Sequence, residues 1–161
     1  GTGDRHIISL STNSIADFSF PNWFQRMLTE TEVEGSQLII QVSAMVAESH
    51  LKPTRRLVDE LQLLGCSFVL SEFDNDRRTI QLLDHLPIKI IKLRPGLARG
   101  LSSNTANQEI IRSVVRAVES IDITIIADAV QDASDLAILL QCGVKLVTGD
   151  FHNEAPQVVG Q

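Results

Sequence analysis

Tyrosine is absent from this sequence and tryptophan occurs once, at Trp23, so aromatic side chains make up 4% of its 161 residues. Leu, Ile and Val must therefore supply most of the apolar bulk of any core. Cysteine is nearly absent as well: Cys66 and Cys142 lie far apart, each in an apolar stretch. That spacing excludes a disulfide framework and the closely spaced ligand pairs of a zinc site. It predicts two buried, reduced thiols and a cytoplasmic setting. No apolar run approaches the roughly 20 residues of a membrane span. Residues 1–5, which lack an apolar leader core, read as an edge outside the folded unit. The first residue is Gly1 rather than methionine, so the sequence reads as a piece of something longer, with 6–161 as one domain. Basic residues are outnumbered, 14 Lys+Arg against 20 Asp+Glu, for a net charge of −6. A nucleic-acid polymer needs concentrated Lys and Arg and is excluded as a partner. A small anionic ligand is not, because the field inside a pocket can oppose the global sign.

What is present is alternation. Short apolar runs begin at His6, Gln37, Cys66, Ile88, Ile123 and Val144. Between them lie segments with helical spacing: Phe20, Trp23, Phe24, Met27 and Leu28 form one stripe, and Leu57, Leu61 and Leu64 another. Pro53 suits a first helical turn, Gly65 a helix end, and Pro87 a stop. Thr105 to Gln108 has capping-box spacing ahead of Ile110, Ile111, Val114, Val115 and Val118. The prediction is an α/β fold of about six parallel strands alternating with five helices. Between an open doubly wound sheet and a closed eight-stranded barrel, the open sheet fits the length, because a complete barrel takes about 250 residues, more than the chain has. Neither G-x-G-x-x-G nor a Walker-type loop appears, so the usual nucleotide fingerprints of open sheets are missing.

Ligands of parallel α/β folds bind beyond the carboxyl ends of the strands. Those ends deliver Ser9 and Ser11, Gln41 and Ser43, Ser71 and Glu72, Lys92 and Arg94, Asp128, and finally Thr148 and Asp150. Lys92 and Arg94 have two readings: ion pairs with Glu72 or Asp128 across the mouth, or a grip on phosphate.

These segments resemble, in order, the motifs of the bacterial EAL domain, the cyclic di-GMP phosphodiesterase family. Ile8-Ser9-Leu10-Ser11 is similar to V-N-L-S, with Ser9 in the asparagine place. Leu38 to Ala44 resembles L-x-L-E-I-T-E, with Gln41 and Ala44 replacing both glutamates. Ser71-Glu72-Phe73-Asp74 takes the place of D-D-F-G, and Ile91-Lys92-Leu93-Arg94 that of L-K-I-D. Ile125 to Gln131 resembles V-I-A-E-G-V-E, and Thr148-Gly149 stands where Q-G would. The likeness runs from about Ile8 to Pro156. It implies a TIM-like barrel of β/α units, incomplete at the N-terminus, without the segment that bears the E-A-L tripeptide.

In that family an acidic cluster holds two Mg²⁺ or Mn²⁺ ions that activate water, and the lysine assists. Here Ser9, Gln41, Ala44, Ser71, Arg94, Gln131 and Thr148 all depart from the family pattern, while Lys92 keeps it. The resemblance therefore implies a degenerate phosphodiesterase with no catalytic residues and no metal. The wording is similar to the branch typified by FimX, the regulators of polar pili, and so implies a cyclic di-GMP receptor module in pilus motility. Ser9, Gln41, Ser71, Glu72, Lys92, Arg94 and Asp128 would line its nucleotide pocket, with Phe151 stacking on guanine or else packing into the core. The alternative is a ligand-independent protein-interaction module on the same scaffold. An incomplete barrel exposes strand edges, which invite pairing; a homodimer with weak or absent ligand binding is the expectation for this piece.

Overall fold

A computed structural model describes residues 5–128, 130–144, 146–147 and 157–159, the last two segments as backbone only. Strands β1 (His6–Leu10), β2 (Leu38–Ser43), β3 (Ser67–Phe73), β4 (Ile90–Leu93), β5 (Thr124–Ala127), β6 (Leu146–Val147) and β7 (Gln157–Val159) form one sheet. Its order is β6-β5-β4-β3-β2-β1-β7, and every pairing is parallel. Six strands were expected and seven are described: β7 adds itself to β1, with Ile8 opposite Gln157. Three residues are too few for hydrophobic periodicity to register.

Strands β1 to β6 lie side by side in chain order, without the reversal that defines a doubly wound sheet. Successive strand side chains point to opposite faces, and the two faces differ. Ile8, Ile40, Phe68, Leu70, Ile91 and Ile125 join the large core with Phe24, Leu57, Leu61, Leu82, Ile111 and Val114 from the helices. On the other face Ile7, Ile39 and Val69, backed by Ile90, form a separate small cluster among the described residues. Helices on one face and a strand-only layer on the other are the arrangement of β/α barrel units.

The crossovers carry α1 (Thr12–Ala16) and α2 (Phe20–Thr31), α3 (Ala44–Ser49) and α4 (Leu51–Gln62), α5 (Arg77–His85), α6 (Thr105–Val118) and α7 (Ala133–Gln141). Helix α2 buries Phe20, Phe24 and Leu28, three positions four residues apart. Helix α4 is closed off by Gly65, three residues past its end, whose φ of +92° allows the Cys66 N–H to reach the Leu61 carbonyl at 3.2 Å and its own N–H to reach the Gln62 carbonyl at 2.9 Å. That double bond satisfies carbonyls a helix end would otherwise orphan.

One local expectation shifts, and one further helix is present. The cap of α6 is Asn104, not Thr105: the Asn104 carboxamide oxygen accepts from the Asn107 N–H at 3.0 Å, which places Thr105 inside the first turn. The polar run after β1 is also helical. The Ser11 hydroxyl accepts from the Ser14 N–H at 3.2 Å and starts α1.

Candidate functional site at the strand carboxyl ends

On the strand-only face, each of five strands changes from apolar to polar in one two-residue step toward its carboxyl end. Ile7 gives way to Ser9, Ile39 to Gln41, Val69 to Ser71, Ile90 to Lys92 and Ile126 to Asp128. The lower row is a dry floor, with Ile7, Ile39 and Val69 all buried. The upper row is a polar rim, and the parallel register brings Ser9 beside Gln41 and Ser43 beside Ser71. The step was present in the sequence as an i, i+2 pattern shared by all five strands, and reading each strand alone misses it.

The rim is largely paired within itself. The Gln41 amide Nε2 donates to the Ser9 hydroxyl at 3.3 Å. The buried Ser71 hydroxyl donates to the Val42 carbonyl at 3.4 Å. The Lys92 ammonium lies 3.4 Å from the Asp128 carboxylate. Ser43, at the end of β2, turns its hydroxyl to the Val46 N–H at 3.2 Å and caps α3.

Two clefts meet at this rim. One, of about 280 Å³, is lined by Ser9, Gln41, Ser43, Ser71, Glu72 and Lys92, with Leu10, Leu93 and Pro95. The other, of about 500 Å³, is lined by Arg94, Arg99, Asp128, Gln131, Asp132 and Asp135 among its polar residues. Lys92 faces the first and Asp128 the second, so their ion pair stands in the wall between them.

Glu72 owes its place to an irregularity. The pairing of β3 with β4 slips between Leu70 and Phe73, and the extra residue leaves Glu72 exposed with a φ of +55°. A left-handed conformation is unfavourable for a side chain with a Cβ; strained bulges recur at the rims of barrels, where they re-aim a side chain.

Of the two sequence readings for the cations, ion pairing describes both, with one change of partner. Lys92 pairs with Asp128 as considered, but Arg94 meets neither Glu72 nor Asp128. Its Nε donates to Asp74 at 2.7 Å, and its backbone N–H is fixed to the Phe73 carbonyl at 2.9 Å. Asp74 is thus a residue of the site that sequence reasoning missed, although it follows the D-D-F-like segment directly. Asp135 was missed too. Its carboxylate accepts the Ser102 N–H at 2.8 Å and the Gly100 N–H at 3.1 Å, tying down the 94–104 loop that carries Arg94 and Arg99. Those hydrogen bonds, Ser102 foremost, hold its pKa below the usual carboxylate value. Thr148, Asp150 and Phe151 lie outside the described residues.

Seven of the eight expected pocket residues, all but Phe151, are thereby brought to one end of the sheet. Among the described residues no group of three or more His, Cys, Asp or Glu is placed to share a metal ion.

Solved structures share this architecture. The EAL domain of Pseudomonas aeruginosa FimX, bound to c-di-GMP, is 26% identical with a TM-score of 0.80; the match covers 89% of this chain and 59% of that one. The Xanthomonas citri FimX EAL domain, in complex with c-diGMP, superimposes with a TM-score of 0.81 over 94% of this chain and 60% of that one, at 24% identity. Among curated proteins, the Escherichia coli cyclic di-GMP phosphodiesterase PdeF is 23% identical over 145 residues, 90% of this chain and 19% of PdeF. The Escherichia coli RNase E specificity factor CsrD is 23% identical over 145 residues, 89% of this chain and 22% of CsrD. The chain thus spans about a fifth of the length of these curated relatives. The EAL domain model matches residues 3–155, nearly the whole sequence, and the chain belongs to the EAL domain family.

Proposed function

We propose that this chain is a catalytically inactive EAL-type signalling module that takes cyclic di-GMP as a regulatory ligand without hydrolysing it, in a bacterial protein of pilus motility. The observation that carries the reading is the Lys92–Asp128 pair, 3.4 Å apart, in a rim otherwise built of hydroxyls and an amide. Hard divalent ions take several oxygen ligands, mostly carboxylates. The described strand ends offer three carboxylates, Glu72, Asp74 and Asp128, and the last two are already neutralised by the Arg94 guanidinium and the Lys92 ammonium. This donor set does not fit a pair of divalent cations that would activate water.

The same rim suits a phosphodiester anion. Fewer carboxylates mean less repulsion of two phosphates, and the Lys92 ammonium supplies a charge-assisted donor. The Ser9 hydroxyl and the Gln41 amide can both turn donors toward the cleft. The likeness to a FimX EAL domain solved with c-di-GMP supports the choice of ligand, and the motility role rests on that likeness alone. Self-association through a sheet edge is a separate proposal, tested by light scattering; a mass of twice 17.7 kDa supports it and 17.7 kDa refutes it.

The test is isothermal titration with cyclic di-GMP in EDTA, on this chain and on a form extended to the length of the FimX EAL structures. Product analysis after incubation with Mn²⁺ accompanies it. Saturable binding in EDTA, with no linear dinucleotide formed, is expected. Mn²⁺-dependent linear product overturns the inactive reading. No heat from either form overturns the receptor reading and leaves the ligand-independent interaction module.

A further inference from the structure

Three cations line the two clefts, and two of them are engaged: Lys92 with Asp128 and Arg94 with Asp74. The third, Arg99, lines the larger cleft, is exposed, and has no ion pair or hydrogen bond from its side chain among the described residues. It is the one charged residue between positions 95 and 104. Its backbone is nevertheless held firmly. Leu97, Ala98 and Leu101 around it are buried, and the Arg99 N–H donates to the Gly96 carbonyl at 3.2 Å. The next N–H, that of Gly100, reaches the buried Asp135 carboxylate at 3.1 Å. Gly96 and Gly100 turn the chain with φ of +81° and +64°, where a side chain would be strained.

The cleft itself measures about 500 Å³, inside the range of about 300–1,000 Å³ usual for small-molecule sites. Leu93, Ala98, Ala127 and Val130 supply its apolar surface. Its three carboxylates, Asp128, Asp132 and Asp135, outnumber its two guanidiniums, Arg94 and Arg99, so the lining does not select an anion. Asp128 is matched by Lys92, and Asp135 by the Gly100 and Ser102 N–H groups. The Asp132 Oδ1 accepts the Ser134 and Asp135 N–H groups at 2.7 and 3.3 Å, while its Oδ2 has no partner among the described residues. A free donor fork and a free acceptor oxygen beside apolar surface suit a flat, neutral group with acceptors on one edge and donors on another.

We propose that this cleft takes one guanine base of the dinucleotide and that Arg99 is the specificity-determining residue, reading the guanine O6 and N7. The inference rests on the cyclic di-GMP reading and extends it from the phosphate to the base. The planar guanidinium fork matches those two acceptors bidentately. Adenine carries an amino donor in the O6 place, so one arm of the fork would face another donor. Guanine's N1–H and N2 amino group are donors, which the Asp132 Oδ2 is free to accept. The Lys92–Asp128 pair stands in the wall between the clefts, so a nucleotide with its phosphate on Lys92 has its base beside the larger one.

The experiment is isothermal titration in EDTA of cyclic di-GMP, cyclic di-AMP and the 7-deazaguanine analogue of cyclic di-GMP, in which a C–H replaces N7. Both forms of the chain named above are used, as wild type, Arg99→Ala and Lys92→Ala. A preference for cyclic di-GMP over cyclic di-AMP of at least about tenfold is expected in the wild type. Arg99→Ala should lose that preference by weakening cyclic di-GMP alone, with an unchanged melting temperature, and should bind the 7-deaza analogue and cyclic di-GMP alike. Lys92→Ala should weaken cyclic di-GMP and cyclic di-AMP by the same factor, because the phosphates are common to both. Tight cyclic di-GMP binding with no preference over cyclic di-AMP overturns the assignment of Arg99 and leaves the receptor reading standing. A preference that survives Arg99→Ala, or an equal loss for both dinucleotides in that variant, does the same. No binding of cyclic di-GMP by either wild-type form overturns both.

Discussion

Removing the Lys92 side chain separates a structural role from a binding role, because the two differ in size. The Lys92 and Asp128 side chains are 23% and 37% exposed, so solvent screens the pair and it contributes at most about 1 kcal/mol to folding. For a chain of this length that corresponds to a Tm fall of about 2–4 °C in Lys92→Ala. A hydrogen bond from the same ammonium to a phosphate is worth about 1.5–3 kcal/mol, or roughly ten- to hundredfold in Kd. Lys92→Ala should therefore melt almost normally and bind cyclic di-GMP at least ten times more weakly. Asp128→Asn should act in the opposite direction. It frees the ammonium and removes a carboxylate from the phosphate's surroundings, so affinity should hold or rise. Differential scanning fluorimetry and isothermal titration, at low salt and again at about 0.5 M where surface electrostatics are screened, give both numbers. Unchanged affinity in Lys92→Ala, or a parallel loss in Asp128→Asn, would refute the assignment of Lys92 as the phosphate donor.

Other consequences concern the scaffold. A Cβ at Gly35 would lie 1.8 Å from the Leu64 carbonyl oxygen and 2.7 Å from its carbon; because backbone must move, Gly35→Ala should cost about 3 kcal/mol or more in chemical denaturation. Asp76 caps α5 by accepting from the Thr79 N–H at 2.9 Å and hydroxyl at 2.7 Å, and Asp76→Ala should cost about 1 kcal/mol. The Thr79 hydroxyl and N–H hold the Asp76 pKa below its ordinary 3.8. A depressed folded-state value gives stability that is present above 3.8 and lost as pH falls through the folded value, so the Asp76→Ala penalty should vanish in acid urea melts. Burial pushes the Cys66 thiol up to about 11, and Cys142 is also buried. Both should react with a disulfide reagent at pH 8 only after urea unfolding; prompt reaction of either would contradict the core assignment.

The strands and long helices were legible because each carries its own period: Phe20, Phe24 and Met27, at spacings of four and three, can share a face only on a helix, and Leu38-Ile39-Ile40 between Gln37 and Gln41 is too short a run for one. Helices α1 and α3 escaped notice because five and six residues are too few to show a period. Their one signal was the serine before each, Ser11 and Ser43, both of which cap. Strand β7 was missed for the same reason of length, and the α6 cap moved one residue because Asn104, just upstream of Thr105, accepts from the Asn107 N–H. At the site, strand order was enough to bring Ser9, Gln41, Ser71, Lys92 and Asp128 to one end of the sheet. What it could not give was partners. Arg94 sits one residue beyond β4 and meets Asp74 rather than Glu72 because the β3 bulge displaces Glu72 from the regular pairing.

Whether this rim grips divalent metal bears most directly on the whole account. Manganese titration followed by electron paramagnetic resonance reports free Mn²⁺, with and without saturating cyclic di-GMP. The donor set predicts no stoichiometric uptake in either condition. Two ions bound per chain in the presence of the dinucleotide would contradict it.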